Sequence, residues 1–396
     1  MSKKKFTVYL VGVILTSIAA NLVHPVTPTL IVERGLDSSM FGVALAAMQV
    51  IYFLFAPFWG RLCDYIPTRT VILICCCGYA VGQLIFGSAQ TEAQVVGGRM
   101  FAGIFCGGVF TAFLNYIVNT SEPETRSAMI IAYSTANNVS NAVGYFVGGM
   151  LGLVSVEFAF GTQVVMLIGC GIFFRFLCID DTPFKHKPEH PLTFKDANPF
   201  GVFISAKSFM TGTLLLLFIT VAIGNLGQTA YEQVFNYYIK DQLGLSSAYN
   251  GIFKAIIAAL TFLVNSTIVM KVIKKTDTNL SIIPVLVASI VPLALVFVVK
   301  EVVPFAICDI VFFVLAAVRM TMFQNIFAGK GTPETSNRVM GFFQSMTALG
   351  GIFGAFFAGI MYKTDPMSPF ALALTGVSIA AVLVLVYVSR YKKERS

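Results

Sequence analysis

The stretch Gly60-Arg61-Leu62-Cys63-Asp64-Tyr65-Ile66-Pro67-Thr68-Arg69 is a short charged turn between two apolar stretches. Each flanking stretch is long enough to cross a bilayer, because a hydrocarbon core of roughly 30 Å needs about 20 apolar residues in a helix. The turn has the spacing Gly-x-x-x-Asp-x-x-x-x-Arg, which Gly60, Asp64 and Arg69 supply. A charged turn in an otherwise nearly uncharged region is therefore expected to connect two membrane helices.

The composition of the whole chain excludes a soluble protein. Of its 396 residues, 57% are hydrophobic and 12% are charged, and the mean hydropathy is +0.81. Too little polar surface is available to cover such a chain in water, so we expect an integral membrane protein. The sequence lacks the alternating segments of a closed barrel, so its spans are predicted to be helices. We predict an all-α fold with twelve transmembrane helices, at residues 6–31, 40–60, 70–88, 95–118, 128–152, 159–179, 211–239, 246–271, 281–299, 303–328, 338–362 and 369–389.

The basic residues are distributed by loop. The net charge of +8 is compatible with nucleic acid binding, but the 27 Lys and Arg residues are not gathered on one element, so no nucleic acid partner is expected. Most lie at the N-terminus, in or beside every second loop, or at the C-terminus, and the opposite loops hold only Arg34, Lys240, Lys300 and Lys363. This positive-inside bias predicts a multi-pass protein of the cell membrane with both termini in the cytoplasm. The N-terminal apolar run is too long for a signal peptide and is predicted to be an uncleaved first helix.

The longest polar interruption divides the spans six and six. It predicts an N-terminal six-helix bundle at 1–180, a cytoplasmic linker at 181–207 and a C-terminal six-helix bundle at 208–396. A partial internal repeat supports the division, because Pro123-Glu124-Thr125 recurs as Pro333-Glu334-Thr335, and Gly144 matches Gly354 at the same offset. Since one chain supplies both halves, we expect a monomer.

The sequence predicts no metal site. The eight cysteines have no metal-binding spacing, and most lie in the predicted spans, where small apolar reduced thiols are expected. His186 and His190 lie in a basic, proline-containing stretch of the linker, where solvated side chains are a simpler interpretation than metal ligands. No zinc motif, nucleotide-binding loop or Ser/His/Asp set is present, and this argues against an enzyme. No cofactor is expected other than the proton gradient as the source of energy.

Several segments together resemble the major facilitator superfamily of secondary transporters, and within it the twelve-helix drug:proton antiporter branch. The resemblance covers nearly the whole chain and is carried by the opening turn, Pro25-Val26-Thr27-Pro28, Arg99-Met100-Phe101-Ala102-Gly103, Arg126, Tyr231-Glu232-Gln233, and Arg319 with Asn325. It implies the major facilitator fold, in which two six-helix bundles related by a parallel repeat hold substrate near the membrane midplane. Two positions depart from the branch. Tyr145 replaces the proline of its Gly-Pro-x-x-Gly-Gly motif, and Ala316 stands where an acidic residue is expected, with Asp309 seven residues earlier.

Four ionisable residues within spans are candidates for proton coupling. An ionisable side chain in a span costs about 2.5–3.5 kcal/mol on insertion scales, so each is a functional candidate. Glu232 lies on one face of the seventh span with Asn225, Gln228 and Asn236. The resemblance implies that this carboxyl couples transport to protons, and a fixed polar contact between helices is the alternative. The other three are Asp309, Arg319 and Arg99; static ion pairing is the alternative for Arg319.

Further polar stripes suggest the lining of a substrate cavity, or hydrogen bonds between helices. The predicted cavity residues are Asn21, His24, Asn137, Asn138, Asn141, Tyr145, Asn225, Gln228, Asn236 and Asn325. Small residues at helical spacing predict close helix packing at Gly144, Gly148, Gly152 and Gly354. Lys254, two turns into the eighth span, is expected to extend outward to the membrane surface.

The opening turn is predicted to be a cytoplasmic gate rather than a substrate site. Its members are Gly60, Asp64, Arg69 and Arg126, and we expect Asp64 to pair with Arg69 or Arg126. The resulting hypothesis is a secondary active transporter that exports amphiphilic or lipophilic small molecules in exchange for protons. A lone acid among amides and aromatics favours cations or zwitterions, whereas two arginines within spans leave an anionic substrate open. Proton-coupled uptake of a metabolite, or flipping of a lipid-linked molecule, is the alternative on the same fold.

Overall fold

The computed structural model describes residues 3–184, 198–299, 301–330 and 335–395. In these ranges the regular secondary structure is helical, with no strand. The predicted Pro333-Glu334 repeat, Lys300 and the two linker histidines, His186 and His190, lie outside the described residues. The helices are α1 Lys3–Asn21, α2 Thr27–Glu33, α3 Met40–Tyr65, α4 Thr68–Ser88, α5 Glu92–Thr120, α6 Pro123–Leu151, α7 Val156–Leu177, α8 Gly201–Ser205, α9 Gly212–Asp241, α10 Ser247–Val264, α11 Met270–Lys275, α12 Thr278–Leu295, α13 Val302–Ala328, α14 Ser336–Thr364 and α15 Ser368–Arg395.

Within the described part of the chain, 10 helices are long and apolar enough to cross a membrane. They correspond to α3, α4, α5, α7, α9, α12, α13, α14, α15 and the run Ser247–Ile273, in which a π-helical turn joins α10 to α11. The predicted spans 6–31 and 128–152 are the two outside this set. The first is divided between α1 and α2, and the second, α6, carries a row of amide and hydroxyl side chains.

The prediction of one continuous helix over 6–31 is wrong. Helix α1 ends at Asn21, residues 22–26 form turns, and α2 begins at Thr27. Pro25 has no N–H to donate and its ring crowds the preceding turn, which breaks the helix. Pro28 lies in the first turn of α2, where the missing N–H removes no helical hydrogen bond.

The chain divides into two compact units. Unit 1 comprises Met1–Met40, Ala47–Pro199 and Gly244–Ala255, and unit 2 comprises Phe41–Ala46, Phe200–Leu243 and Ile256–Ser396. The start of α10 therefore groups with unit 1, although the sequence places it in the second half.

An aromatic cluster forms the core of unit 1. The Tyr9 hydroxyl donates to the Phe113 carbonyl oxygen at 2.8 Å, and the Tyr9 ring stacks on Tyr116 at 4.9 Å between centroids. Phe174 packs against both Tyr9 and Phe113. In unit 2, the Phe218 ring stacks on the Phe327 ring at 4.7 Å between centroids, and both rings are fully buried. Packing of such large rings stabilises helix association within a membrane, where the hydrophobic effect does not drive it.

Glycines allow the closest helix approaches in both units. A Cβ at Gly144 of α6 would lie 2.5 Å from the Ile18 carbonyl oxygen of α1, and one at Gly148 would overlap the Leu22 carbonyl oxygen. In unit 2, a Cβ at Gly354 of α14 would overlap the Leu226 carbonyl oxygen of α9. Any side chain larger than hydrogen would push these helices apart.

The chain beyond α7 is fastened to the start of α4. Asp181, predicted as the first residue of the cytoplasmic linker, is fully buried. Its carboxylate accepts hydrogen bonds from the Thr68 N–H at 2.8 Å, from the Thr68 hydroxyl and from the Asn119 amide at 2.9 Å. A carboxylate at a helix N-terminus is stabilised by the orphan N–H groups and the helix dipole, which is why this position is buried rather than solvated.

Candidate functional site

Three pairs of polar side chains join α1 and the turn after it to α6 within unit 1. The Ser17 hydroxyl donates to Asn137 Oδ1 at 2.7 Å, and Asn21 Nδ2 donates to Asn141 Oδ1 at 2.9 Å. One turn further along, the His24 ring stacks on the Tyr145 ring at 5.5 Å with an interplanar angle of 9°. In the first two pairs, the polar groups are hydrogen-bonded to each other, so they join the helices. The predicted cavity residue Asn138 is exposed on the same helix.

Lys254 extends from α10 to the outermost of these pairs. Its Nζ lies 5.5 Å from the centroid of the Tyr145 ring. The expected outward extension toward the membrane surface is therefore wrong, because a cation over an aromatic face is attracted by the ring quadrupole. His24, Tyr145 and Lys254 are all half-buried, so part of each side chain is accessible.

Arg99 of α5 lies behind this cluster and is 3% exposed. Its Nη2 donates to the Thr27 hydroxyl at 3.1 Å, its Nη1 contacts Met48 Sδ at 3.6 Å, and its guanidinium carbon lies 4.0 Å from the Phe86 ring centroid. The buried Nε has no hydrogen-bond partner. Thr27, Met48 and Phe86 are uncharged, so these contacts stabilise the guanidinium without neutralising it.

In unit 2, the polar face of α9 holds a second buried guanidinium. Arg319 of α13 is 3% exposed, and its Nη2 donates to Gln228 Oε1 at 2.7 Å and to the Gly224 carbonyl oxygen at 3.5 Å. The buried Nη1 has no hydrogen-bond partner. Asn225, also on this face, donates to the Thr347 carbonyl oxygen of α14 at 2.7 Å. Part of the predicted stripe therefore joins helices.

Glu232 lies four residues beyond Gln228 on the same face of α9, and it is half-buried. An i, i+4 pair stands one turn apart, so the carboxyl lies about 6 Å along the helix axis from the amide that holds Arg319. Asp309 is 1% exposed, and it lies within electrostatic range of the buried Tyr231 hydroxyl. Ten residues of α13 separate Asp309 from Arg319, a rise of about 15 Å. The structure therefore brings Gln228 and Arg319 together, and it holds Asp309 and Arg319 apart.

Of the remaining predicted cavity residues, Asn236 is buried and Asn325 is exposed.

The charged turn has other partners than those predicted. Asp64 pairs with Arg61 at 3.2 Å, whereas Arg69 Nη2 binds Asp180 at 2.9 Å and its Nη1 donates to the Cys178 carbonyl oxygen. Arg126 bonds to Ser121. The predicted pairing of Asp64 with Arg69 or Arg126 is wrong for this structure, because Arg69 lies in the first turn of α4, beside the anchored end of α7. Gly60 packs against α5, and its carbonyl oxygen accepts a hydrogen bond from Asn115 at 3.3 Å.

Asp180 lies outside the membrane-spanning helices, and the pKa of its carboxyl group is lowered. Hydrogen bonds from Thr182, together with the charge of Arg69, lower the pKa of Asp180 below its usual value. Both interactions favour the ionised form, so the carboxylate stays charged throughout the neutral range.

Sequence reasoning missed two residues of these clusters. Lys254 was assigned to the membrane surface, although it follows Gly251 by three residues and so shares that glycine's contact with α6. Asp181 was assigned to the linker, although it directly follows Asp180 at the end of a span. Among the described residues, no group of three or more His, Cys, Asp or Glu side chains is placed to hold a metal ion.

Comparisons with known proteins agree with this architecture. The family model of the Major Facilitator Superfamily matches residues 9–332. The chain is 24% identical over 408 residues to the quinolone resistance protein NorA of Staphylococcus aureus, covering 99% of this chain and 98% of that protein. It is 22% identical over 401 residues to multidrug resistance protein 1 of Bacillus subtilis, covering 98% and 97%. The crystal structure of the nucleoside transporter NupG has the same fold, with a TM-score of 0.75 at 13% identity over 98% of this chain and 99% of that one.

Proposed function

This chain belongs to the Major Facilitator Superfamily, and on that premise we propose that it is a proton-coupled exporter of amphiphilic or lipophilic compounds that works by alternating access. Membership of the family makes it a transporter and not an enzyme. Full-length similarity to proteins named for multidrug and quinolone resistance supports export of amphiphilic small molecules.

The observation that carries the proposal is the arrangement on α9. Glu232 is a half-buried carboxyl one turn from Gln228, which binds the buried guanidinium of Arg319. A partly accessible carboxyl one turn from the partner of a buried guanidinium is placed to exchange a proton and to respond to movement of α13, which supports its assignment as the coupling residue.

In the proposed cycle, Glu232 takes up a proton from outside as substrate leaves and releases it to the cytoplasm. Each proton then supplies about 1.4 kcal/mol per pH unit and about 2.3 kcal/mol per 100 mV of membrane potential. Arg319 of α13 is assigned control of the protonation of Glu232 or of Asp309, and Arg99 of α5 is assigned the link between proton movement and conformational change. No cofactor takes part in this cycle.

We propose that twelve helices span the cell membrane, the α1–α2 pair and α6 completing the set of ten. The 29 residues of α6 extend about 44 Å, more than the hydrocarbon core requires. The distribution of Lys and Arg supports cytoplasmic termini, and a single chain carrying both halves supports a monomer. Reporter fusions at the loop between α6 and α7 test this topology, and a cytoplasmic location for that loop would refute it.

The function is tested with purified protein in proteoliposomes under an imposed pH gradient. We expect the wild type to move ethidium against its concentration gradient, and Glu232→Gln to lose the response to the pH gradient because the amide does not titrate. Glu301→Gln is the matched control, since it removes an exposed carboxyl at the start of α13. If ethidium transport by Glu232→Gln responds to the pH gradient as the wild type does, the assignment of Glu232 as the coupling residue is refuted.

A second candidate is proton-coupled uptake or flipping of a lipid-linked molecule on the same fold. The observation that favours it is Tyr145, which replaces the proline of the antiporter motif. Folded wild-type protein that moves no dye in the same vesicles would favour this candidate. Metabolites and lipids would then be the substrates to test.

A further inference from the structure

Unit 1 contains a cluster of basic side chains around Tyr145. The His24 ring stacks on Tyr145, and the Lys254 ammonium lies 5.5 Å from the centroid of the same ring. Arg99 lies within electrostatic range of His24, as does Lys254. Arg99 also binds Thr27, three residues beyond His24 along the chain. Two basic side chains, His24 and Lys254, therefore lie against the Tyr145 ring. Arg99 lies within electrostatic range of the same tyrosine.

Small residues bring these groups together. A Cβ at Gly251 of α10 would lie 2.8 Å from the Tyr145 carbonyl oxygen of α6, so only glycine allows this approach. One turn away, the Ser247 hydroxyl donates to the Gly149 carbonyl oxygen at 3.0 Å and fixes the register of the two helices. Lys254 lies three residues beyond Gly251 and hence on the same face of α10, which directs it to Tyr145.

The buried member of the cluster is not neutralised by its neighbours. Its bonds go to the Thr27 hydroxyl and the Met48 sulfur, its guanidinium lies on the Phe86 ring, and the buried Arg99 Nε has no hydrogen-bond partner. A buried cation without an anion is costly in a membrane protein. An anionic group entering beside His24 and Lys254 would offset that cost, and it would meet donors from the lysine, the histidine and the tyrosine hydroxyl.

We propose that His24, Tyr145 and Lys254, with Arg99 behind them, form a subsite for the acidic group of an amphiphilic substrate. The group is a carboxylate or a sulfonate, carried by an apolar body. The subsite specifies the substrate class of the proposed exporter and so rests on that proposed function.

The test uses two probes with the same ring and opposite charge, 1-pyrenesulfonate and (1-pyrenylmethyl)trimethylammonium. Binding to the full chain in phosphatidylcholine nanodiscs is measured by microscale thermophoresis, and empty nanodiscs give the partition into lipid. We expect the wild type to prefer the sulfonate. Lys254→Met should weaken sulfonate binding by roughly tenfold, the loss of one charge-assisted contact, while Lys254→Arg retains it.

Lys271→Met is the matched control, because Lys271 is an exposed lysine on α11, farther along the same predicted span. It should leave sulfonate affinity unchanged. Equal sulfonate affinity in Lys254→Met and the wild type overturns the subsite, and so does a wild-type preference for the ammonium probe. Because Lys254 is half-buried, the methionine variant is expected to fold, and size-exclusion chromatography verifies this before binding is measured.

A lipid headgroup offers the same anionic chemistry as a solute. Repeating the titration in nanodiscs that also contain phosphatidylglycerol separates the two sources, since loss of sulfonate binding there assigns the cluster to lipid and overturns the solute subsite. Binding is measured without a pH gradient, so a failure of proton coupling at Glu232 leaves its outcome unaffected. Conversely, a failed subsite leaves the dye-transport result intact.

Discussion

Replacing Asp181 with alanine should destabilise the contact between the segment after α7 and the start of α4. The side chain is fully buried and accepts hydrogen bonds from the Thr68 N–H, the Thr68 hydroxyl and the Asn119 amide. Alanine leaves these donors without an acceptor and removes the carboxylate from the N-terminus of α4. The segment that follows α7 is then no longer fastened to α4.

The magnitude follows from these three bonds. A hydrogen bond to a charged group contributes about 1.5–3 kcal/mol, and loss of a helix cap costs about 1 kcal/mol. The Thr68 hydroxyl can rotate to a new acceptor and water can enter at the helix end, so the costs do not sum. We expect a loss of about 3 kcal/mol, which for a unit of this size lowers Tm by about 6–12 °C.

The cysteines provide the assay. Seven of the eight free thiols are buried, so a maleimide dye that fluoresces on thiol reaction reports unfolding as the detergent-solubilised protein is heated. Asp180→Ala is the matched control one residue away, because that carboxylate is 37% exposed and makes a surface ion pair with Arg69, worth about 0–1 kcal/mol. A Tm for Asp181→Ala within about 2 °C of the wild type, or equal to that of Asp180→Ala, would refute the anchoring role.

The remaining predictions concern glycines and pH. Gly148→Ala should cost at least about 1–3 kcal/mol in thermal melts because its methyl group meets the backbone of the turn after α1, whereas Gly161→Ala, with open space around it, should be neutral or slightly stabilising. In unit 2, Gly354→Ala against Gly341→Ala should repeat the contrast, and equal melting of either pair contradicts the packing argument. The lowered pKa of Asp180 means that its small contribution is complete above the usual aspartate pKa of about 3.9 and is lost as pH falls through the lower folded value. The Tm difference between wild type and Asp180→Asn should therefore stay constant from about pH 5 to pH 8, and a change across that range would contradict the assignment.

Local pattern was sufficient for much of the architecture. The all-helical membrane fold followed from apolar runs of bilayer length, because the bilayer requires each span to satisfy its own backbone hydrogen bonds. The family followed from the opening turn and the spaced motifs, and the match over residues 9–332 confirms it. The division at 181–207 stays a prediction. The roles of Glu232 and its neighbours also stay predictions, because they depend on proton movement and on the substrate, which a sequence pattern does not report.

The partners of charged and polar side chains were decided only by tertiary structure. Spacing along one helix shows which residues share a face, but it does not show what stands opposite that face. The sequence therefore placed Gln228 and Glu232 together, and the fold added Arg319 from α13. It identified Arg69 as a charged loop residue, and the end of α7 supplied Asp180 as its partner. Contacts between distant segments depend on which helices pack together. The spacing of the glycines predicts that a helix approaches closely at that face, but it does not show which helix that is.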